Sequence, residues 1–294
     1  MRDTFLEMIL RMVKENFDMA KFDIYLHTQE KGNGILKTGI AFRNLKDEES
    51  YSPVIYLDEA YEDYTSGNKM PYEIVNDIME IYNKAMNHKF STTDEYMNKD
   101  FILKNVFAQV INTNRNIGIL SEVPHKEFLN LSIIYKCLVS CNEQGMAAFI
   151  IKDIMLKEFE ITEDELYKAA LVNTESIFPI EYQSIYDMTK ELDPTLDPAL
   201  MNNPMIVLTN EQRKWGATAL LYPTYFAQIA KIVDDNLLIF PSSLHELIIL
   251  PAGYMNIEEA NAMLNSINPT IDPEDFLGNR IYYYDKEDNT LKLT

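Results

Sequence analysis

The residues best equipped for chemistry lie in one string, Pro241-Ser242-Ser243-Leu244-His245-Glu246. Two hydroxyls, an imidazole and a carboxylate fall within six positions, the residue types of a hydrolase triad. A triad needs its acid on the imidazole nitrogen that faces away from the nucleophile. In an extended chain Ser243 and His245 share a face and Glu246 points to the other, so the string cannot close a triad alone. Nor does the chain contain a Gly-x-Ser-x-Gly elbow to expose a nucleophile. Two roles remain open. In the catalytic one His245 is a general base oriented by a distant carboxylate, Ser242 or Ser243 supplies the hydroxyl, and Tyr222 and Glu246 contribute. In the structural one the serines satisfy turn backbone groups and His245 bonds locally.

Other candidate chemistry is thin. His27, His88 and His125 are isolated, and no H-x-x-x-H or H-E-x-x-H string supports a zinc hydrolase. His125, after Pro124, reads as a helix-end or loop residue. Gly32-Asn33-Gly34 lies between strand patterns and precedes no helix, which makes it a hairpin loop and not a phosphate cradle. Asp193 and Asp197 fit neither an EF-hand nor a carboxylate cage. Cys137 and Cys141 would stand roughly 13 Å apart on a strand, too far for a disulfide, and read as free thiols in a reducing compartment. Arg213-Lys214-Trp215 sets two basic residues beside an aromatic one, too little for a nucleic-acid platform. No cofactor and no metal is expected.

The elements that must position these residues follow from periodicity. Two short apolar runs, Leu237–Phe240 and Leu247–Leu250, flank the polar string. Runs of that kind suggest strands covered on both faces, since a half-exposed strand alternates. Upstream, residues 4–17 carry a helical apolar stripe with a Thr4/Glu7 capping box. Residues 22–29, 35–43 and 51–57 read as a three-stranded meander, with Pro53 favouring an edge for the third strand. Asp58 can cap a helix to Thr65, and Pro71 opens another. Residues 91–124 read as helical, 129–138 as a strand, and Thr162/Glu165 as a second capping box. Residues 187–204, with Pro194, Pro198 and Pro204, read as a surface loop or partly ordered connection. The C-terminal part continues with a strand at 205–209, helices from Pro223 and at 257–267, and a closing hairpin over 280–293. The class is α+β with mainly antiparallel sheets. The expected organisation is an N-terminal domain at 1–90, a helical connection at 91–124, and a C-terminal domain at 125–294.

The chain has 294 residues, 47% of them hydrophobic and 24% charged, so it can bury a sizeable core and is not disordered wholesale. Its apolar runs fall short of the ~20 residues of a membrane span. No secretory signal pattern opens it. The 46 acidic residues against 26 basic ones leave a net charge of −20. That balance disfavours direct binding of nucleic acid or anionic membrane. It suits either solubility or a basic protein partner.

Several strings taken together carry a likeness. They are Leu120–Leu131, Thr162–Phe178 with Asn173-Thr174, Leu208-Thr209-Asn210 with Gly216-Ala217, and Tyr222-Pro223. Pro241–Glu246, Tyr282–Asp285 and, near the start, Val54–Leu57 complete the set. With these the chain resembles a domain-of-unknown-function family of Firmicutes, mostly gut clostridia. The resemblance implies a cytoplasmic bacterial protein and implies no activity. Two functions follow as expectations. One is a non-enzymatic protein that binds a protein partner, in its sharpest form an acidic inhibitor of a nucleic-acid-binding protein. The other is a hydrolase or transferase built around Ser243 and His245.

Overall fold

The computed structural model describes residues 1–46, 53–87, 96–142, 145–192 and 203–294. It divides into two compact units, residues 1–95 and 96–294.

In the first unit, helix α1 (Arg2–Lys14) is followed by strands β1 (Phe22–Glu30), β2 (Leu36–Asn44) and β3 (Val54–Tyr56), then helices α2 (Asp58–Thr65) and α3 (Pro71–Asn87). The sheet is an antiparallel meander in the order β1-β2-β3, so β3 does lie at an edge. Phe5, Ile9 and Val13 of α1 pack with Ile24, Ile40 and Phe42 of the sheet and Ile74 and Ile78 of α3. The expected Thr4/Glu7 box does not form. The helix is already running at Arg2, and the Met1 carbonyl accepts from the Phe5 N–H. Asp58 likewise caps nothing; it lies in the first turn of α2 and pairs with Arg2.

The second unit continues with α4 (Lys99–Asn105), β4 (Val106–Asn112), α5 (Ile117–Leu120), β5 (His125–Phe128), β6 (Leu131–Asn142) and β7 (Gly145–Ile150). Next come α6 (Asp153–Glu158), α7 (Glu163–Ile177), β8 (Ile180–Ser184), α8 (Ile185–Leu192) and β9 (Ile206–Asn210). A 3-10 helix (Gly216–Leu221), α9 (Pro223–Val233), β10 (Leu237–Phe240), β11 (Leu247–Pro251), α10 (Ile257–Ile267), β12 (Tyr282–Asp285) and β13 (Thr290–Leu293) complete it. One sheet has the order β4-β6-β5 with β7 also on β6, the other β13-β12-β10-β11-β9-β8, and all pairs are antiparallel. The fold is α+β with antiparallel sheets.

Strand β10 explains its own composition. Leu237 and Ile239 join the main core, whereas Leu238 and Phe240 join a second cluster with Ala260 and Leu264 of α10. Tyr282 and Tyr284 of β12 face the main core and Tyr283 the second cluster, the split that strand alternation requires.

Two further expectations are corrected. Within 91–124, residues 91–95 lie outside the described residues, but 106–112 form a strand paired with 131–137. A run buried on both faces carries no alternation, so periodicity cannot separate it from a buried helix. Residues 187–192, expected in a loop, belong to α8, because the Ser184 hydroxyl accepts from the Asp187 N–H at 3.0 Å and starts the helix. The prolines at 194 and 198, the acids at 193 and 197, and most of the loop expected after 44 lie outside the described residues.

The Thr162/Glu165 box is present in full, with the Thr162 Oγ1 accepting from the Glu165 N–H at 3.2 Å and the Glu165 carboxylate from the Thr162 N–H at 2.9 Å. Thr162→Ala should cost about 1 kcal/mol, and Ile239→Ala, fully buried, about 2–5 kcal/mol, both read from urea unfolding. The Glu165 carboxyl is held down at about 2 by the Thr162 backbone N–H, with Lys99 and the Thr162 hydroxyl adding to it. A carboxyl depressed in the folded chain stabilises it above the unfolded value of 4.5 and loses that contribution as pH falls toward about 2. The melting-temperature gap between wild type and Glu165→Gln should therefore be full above pH 4.5 and close on acidification toward pH about 2.

Candidate functional site

The connection between β10 and β11 is a zipped segment. Ser243 pairs with Phe276 in an antiparallel bridge. The Leu277 N–H donates to the Ser242 carbonyl at 3.0 Å, and the Leu244 N–H to the Asp275 carbonyl at 2.7 Å. On the other side the Ala217 N–H donates to the Leu244 carbonyl at 3.1 Å. The His245 carbonyl takes two bonds, from the Gly216 N–H at 3.0 Å and the Thr209 hydroxyl at 2.7 Å. Buried backbone groups must be paired, and here three segments do it for one another.

Side chains complete the closure. The Ser243 Oγ accepts from the His245 backbone N–H at 3.0 Å, a local serine turn. The His245 Nδ1 lies 3.3 Å from the Trp215 backbone N–H, which can only donate, so that nitrogen is the acceptor. The His245 Nε2 lies 3.1 Å from the Asp275 Oδ1 and carries the proton given to the carboxylate. Trp215 has φ 56°, and Gly216 follows it. A Cβ at Gly216 would come within 2.3 Å of the His245 carbonyl and 2.4 Å of the Thr209 Oγ1, so only glycine fits. The Trp215 ring stacks on Phe107 at 5.4 Å, meets Phe178 edge-on at 5.8 Å, and has the Lys136 ammonium 4.4 Å from its centroid.

The candidate residues separate accordingly. Ser242 and Ser243 are buried, and His245 is half-buried with 29% of its side chain exposed. Glu246 is half-buried, and no described bond joins it to the imidazole. Tyr222 lies elsewhere: its hydroxyl donates to the Leu171 carbonyl at 2.7 Å, and burial pushes its pKa well up. Sequence reasoning missed Asp275, Trp215, Thr209 and Gly216. Asp275 stands thirty positions from His245 and has no local signal; Trp215 stands out only as an aromatic beside Arg213-Lys214, and Gly216 only in the string Gly216-Ala217.

Chemically this is a clip. A general base needs a free lone pair aimed at a hydroxyl, and the Trp215 amide occupies that place. Among the described residues no hydroxyl reaches the ring. A small cavity lined by Ala108, Thr174, Phe178, Asn210, Trp215 and Thr218 has room for about one water and does not reach His245 or the serines. Among the described residues no three His, Cys, Asp or Glu side chains gather as metal ligands would. Cys137 is a buried free thiol pushed up to about 12 by burial, and Cys141 an exposed one. His125, expected at a helix end or in a loop, opens β5 and has its Nδ1 3.0 Å from the Val123 carbonyl.

A family model described as a family of unknown function (DUF5688) matches residues 2–286. No curated protein and no solved structure matches the chain.

Trp215 is the chain's single tryptophan, so its fluorescence reports on the clip. His245→Ala and Ser243→Ala should each red-shift the emission and lower stability by about 1–3 kcal/mol, because each strands a backbone donor. Glu246→Gln should change neither. Wild-type emission and stability in His245→Ala would contradict the clip.

Proposed function

The chain belongs to the DUF5688 family of unknown function, and from its own residues we propose that it acts by binding a protein partner through its acidic surface, without catalysis at Ser243 and His245. The observation that carries this is the convergence of carboxylates on α2 and α3. Lys69 bridges Asp63 of α2 at 3.2 Å and Asp77 of α3 at 3.0 Å, and the two carboxylates raise its pKa. The two helices therefore share one surface. Glu59, Glu62, Glu73 and Glu80 stand exposed on them. Such a ridge attracts a basic partner, and its strength should fall as salt shortens the Debye length. A partner that otherwise holds nucleic acid has the matching charge, and the chain then competes for that surface. Direct binding of nucleic acid runs against a net charge of −20. No helix among the described residues is long and apolar enough to cross a membrane. The two free cysteines suit a reducing, cytoplasmic setting. The closed clip supports this reading over a hydrolase or transferase at Ser243 and His245.

The test is capture of basic proteins, identified by mass spectrometry, from a bacterial lysate on the immobilised chain. Binding is expected at an ionic strength of about 0.05 M and release at about 0.5 M. The variant with Glu59, Glu62, Glu73 and Glu80 all changed to Gln should capture far less. Salt-indifferent capture, or equal capture by the variant, would overturn the proposal.

A further inference from the structure

We infer that the open edge of β1 pairs with the same edge of a second copy of this chain, joining two three-stranded sheets into one of six strands. The hydrogen-bond phase of the sheet shows which groups are open. The Phe42 N–H donates to the Pro53 carbonyl at 3.1 Å and the Leu57 N–H to the Thr38 carbonyl at 3.0 Å. Even-numbered residues of β2 thus bond toward β3, and odd-numbered ones toward β1. Gly39 faces His27 and Ala41 faces Tyr25, so odd-numbered residues of β1 bond to β2. The backbone groups of Ile24, Leu26 and Thr28 point outward, and no described residue bonds to them there.

Natural sheets blunt such edges with prolines, lysines, bulges or short strands. The other edge of this sheet, β3, is three residues long and follows Pro53. β1 has nine residues in unbroken register, with no proline, glycine or lysine among them. Its outer side chains Asp23, Tyr25 and Gln29 are exposed.

The strand is also complementary to itself about Leu26. In an antiparallel pair centred there, Leu26 meets Leu26, Ile24 meets Thr28, Tyr25 meets His27, and Asp23 meets Gln29. The residues brought together as bonding pairs are the even-numbered ones, whose groups point outward. Ile24 and Leu26 belong to the first unit's apolar face, which then runs on across the junction. Tyr25 and His27 already sit edge-to-face at 6.5 Å within one copy, and each finds a second ring across the seam. Within Phe22–Glu30 no like charges stand opposite each other; Lys21 meets Lys31 just beyond the strand ends. Because each copy carries −20, salt should tighten the pair, the reverse of its effect on a basic partner.

Sedimentation velocity of the full chain over a dilution series, at low and high salt, tests this. A dimer that tightens with salt is expected. Thr28→Pro removes an outward donor and the 2.9 Å hydroxyl bond from Thr28 to Thr38, but leaves the backbone ladder to β2, which uses odd-numbered residues of β1, in place; it should leave a monomer with an unchanged circular dichroism spectrum. Gln29→Lys, opposite Asp23, should tighten the dimer and Gln29→Asp loosen it, each by about tenfold over the two symmetry-related pairs. If Thr28→Pro alters the spectrum, the two Gln29 variants decide. A monomer at every concentration, a dimer indifferent to Thr28→Pro with its fold intact, or Gln29 variants moving together would overturn the inference.

Discussion

The clip between β10 and β11 turns on one acceptor, the carbonyl oxygen of His245. Its two donors come from different segments, the Gly216 amide and the Thr209 hydroxyl, and both lone pairs are thereby filled. The approach is so close that residue 216 can have no side chain. Fixing Gly216 places Trp215 beside the imidazole, and the imidazole then has an amide on one side and Asp275 on the other. The string that looks reactive is explained by where its backbone must bond. A polar segment between two buried strands has to find partners for every N–H and C=O, and its polar side chains are recruited to that end.

This explains which parts were legible. The apolar runs at 237–240 and 247–250 announced strands covered on both faces, and each face has its own cluster. The helix at 257–267 and the Thr162/Glu165 box rest on neighbours three or four residues away, and such signals survive in a linear string. β4 did not, because Val106–Ile111 is buried throughout and shows no period. The Thr4/Glu7 pattern misled for the opposite reason: the residue types were right, but the helix begins before them. The clip was half legible. Ser243 and His245 were found by type, whereas Asp275 and Trp215 arrive through tertiary pairing that spacing does not encode.

Chemistry and surface are thus separated in this chain. The titratable group most suggestive of catalysis is engaged at both nitrogens, while many carboxylates stand at the surface. Where they gather on α2 and α3, a single lysine bridges two of them, and Glu59, Glu62, Glu73 and Glu80 are exposed. The proposed binding role suits such an arrangement, since a partner's cations can relieve the repulsion among those carboxylates.

The central claim is that the imidazole of His245 serves the fold. A long-range proton–nitrogen correlation spectrum of the histidine rings, with amide exchange at Trp215, tests it most directly. The clip predicts a His245 ring protonated on Nε2, an Nδ1 shifted as a hydrogen-bond acceptor, and a Trp215 amide protected to the level of the surrounding core. A ring protonated on Nδ1, or a Trp215 amide exchanging as fast as an open loop, would contradict it.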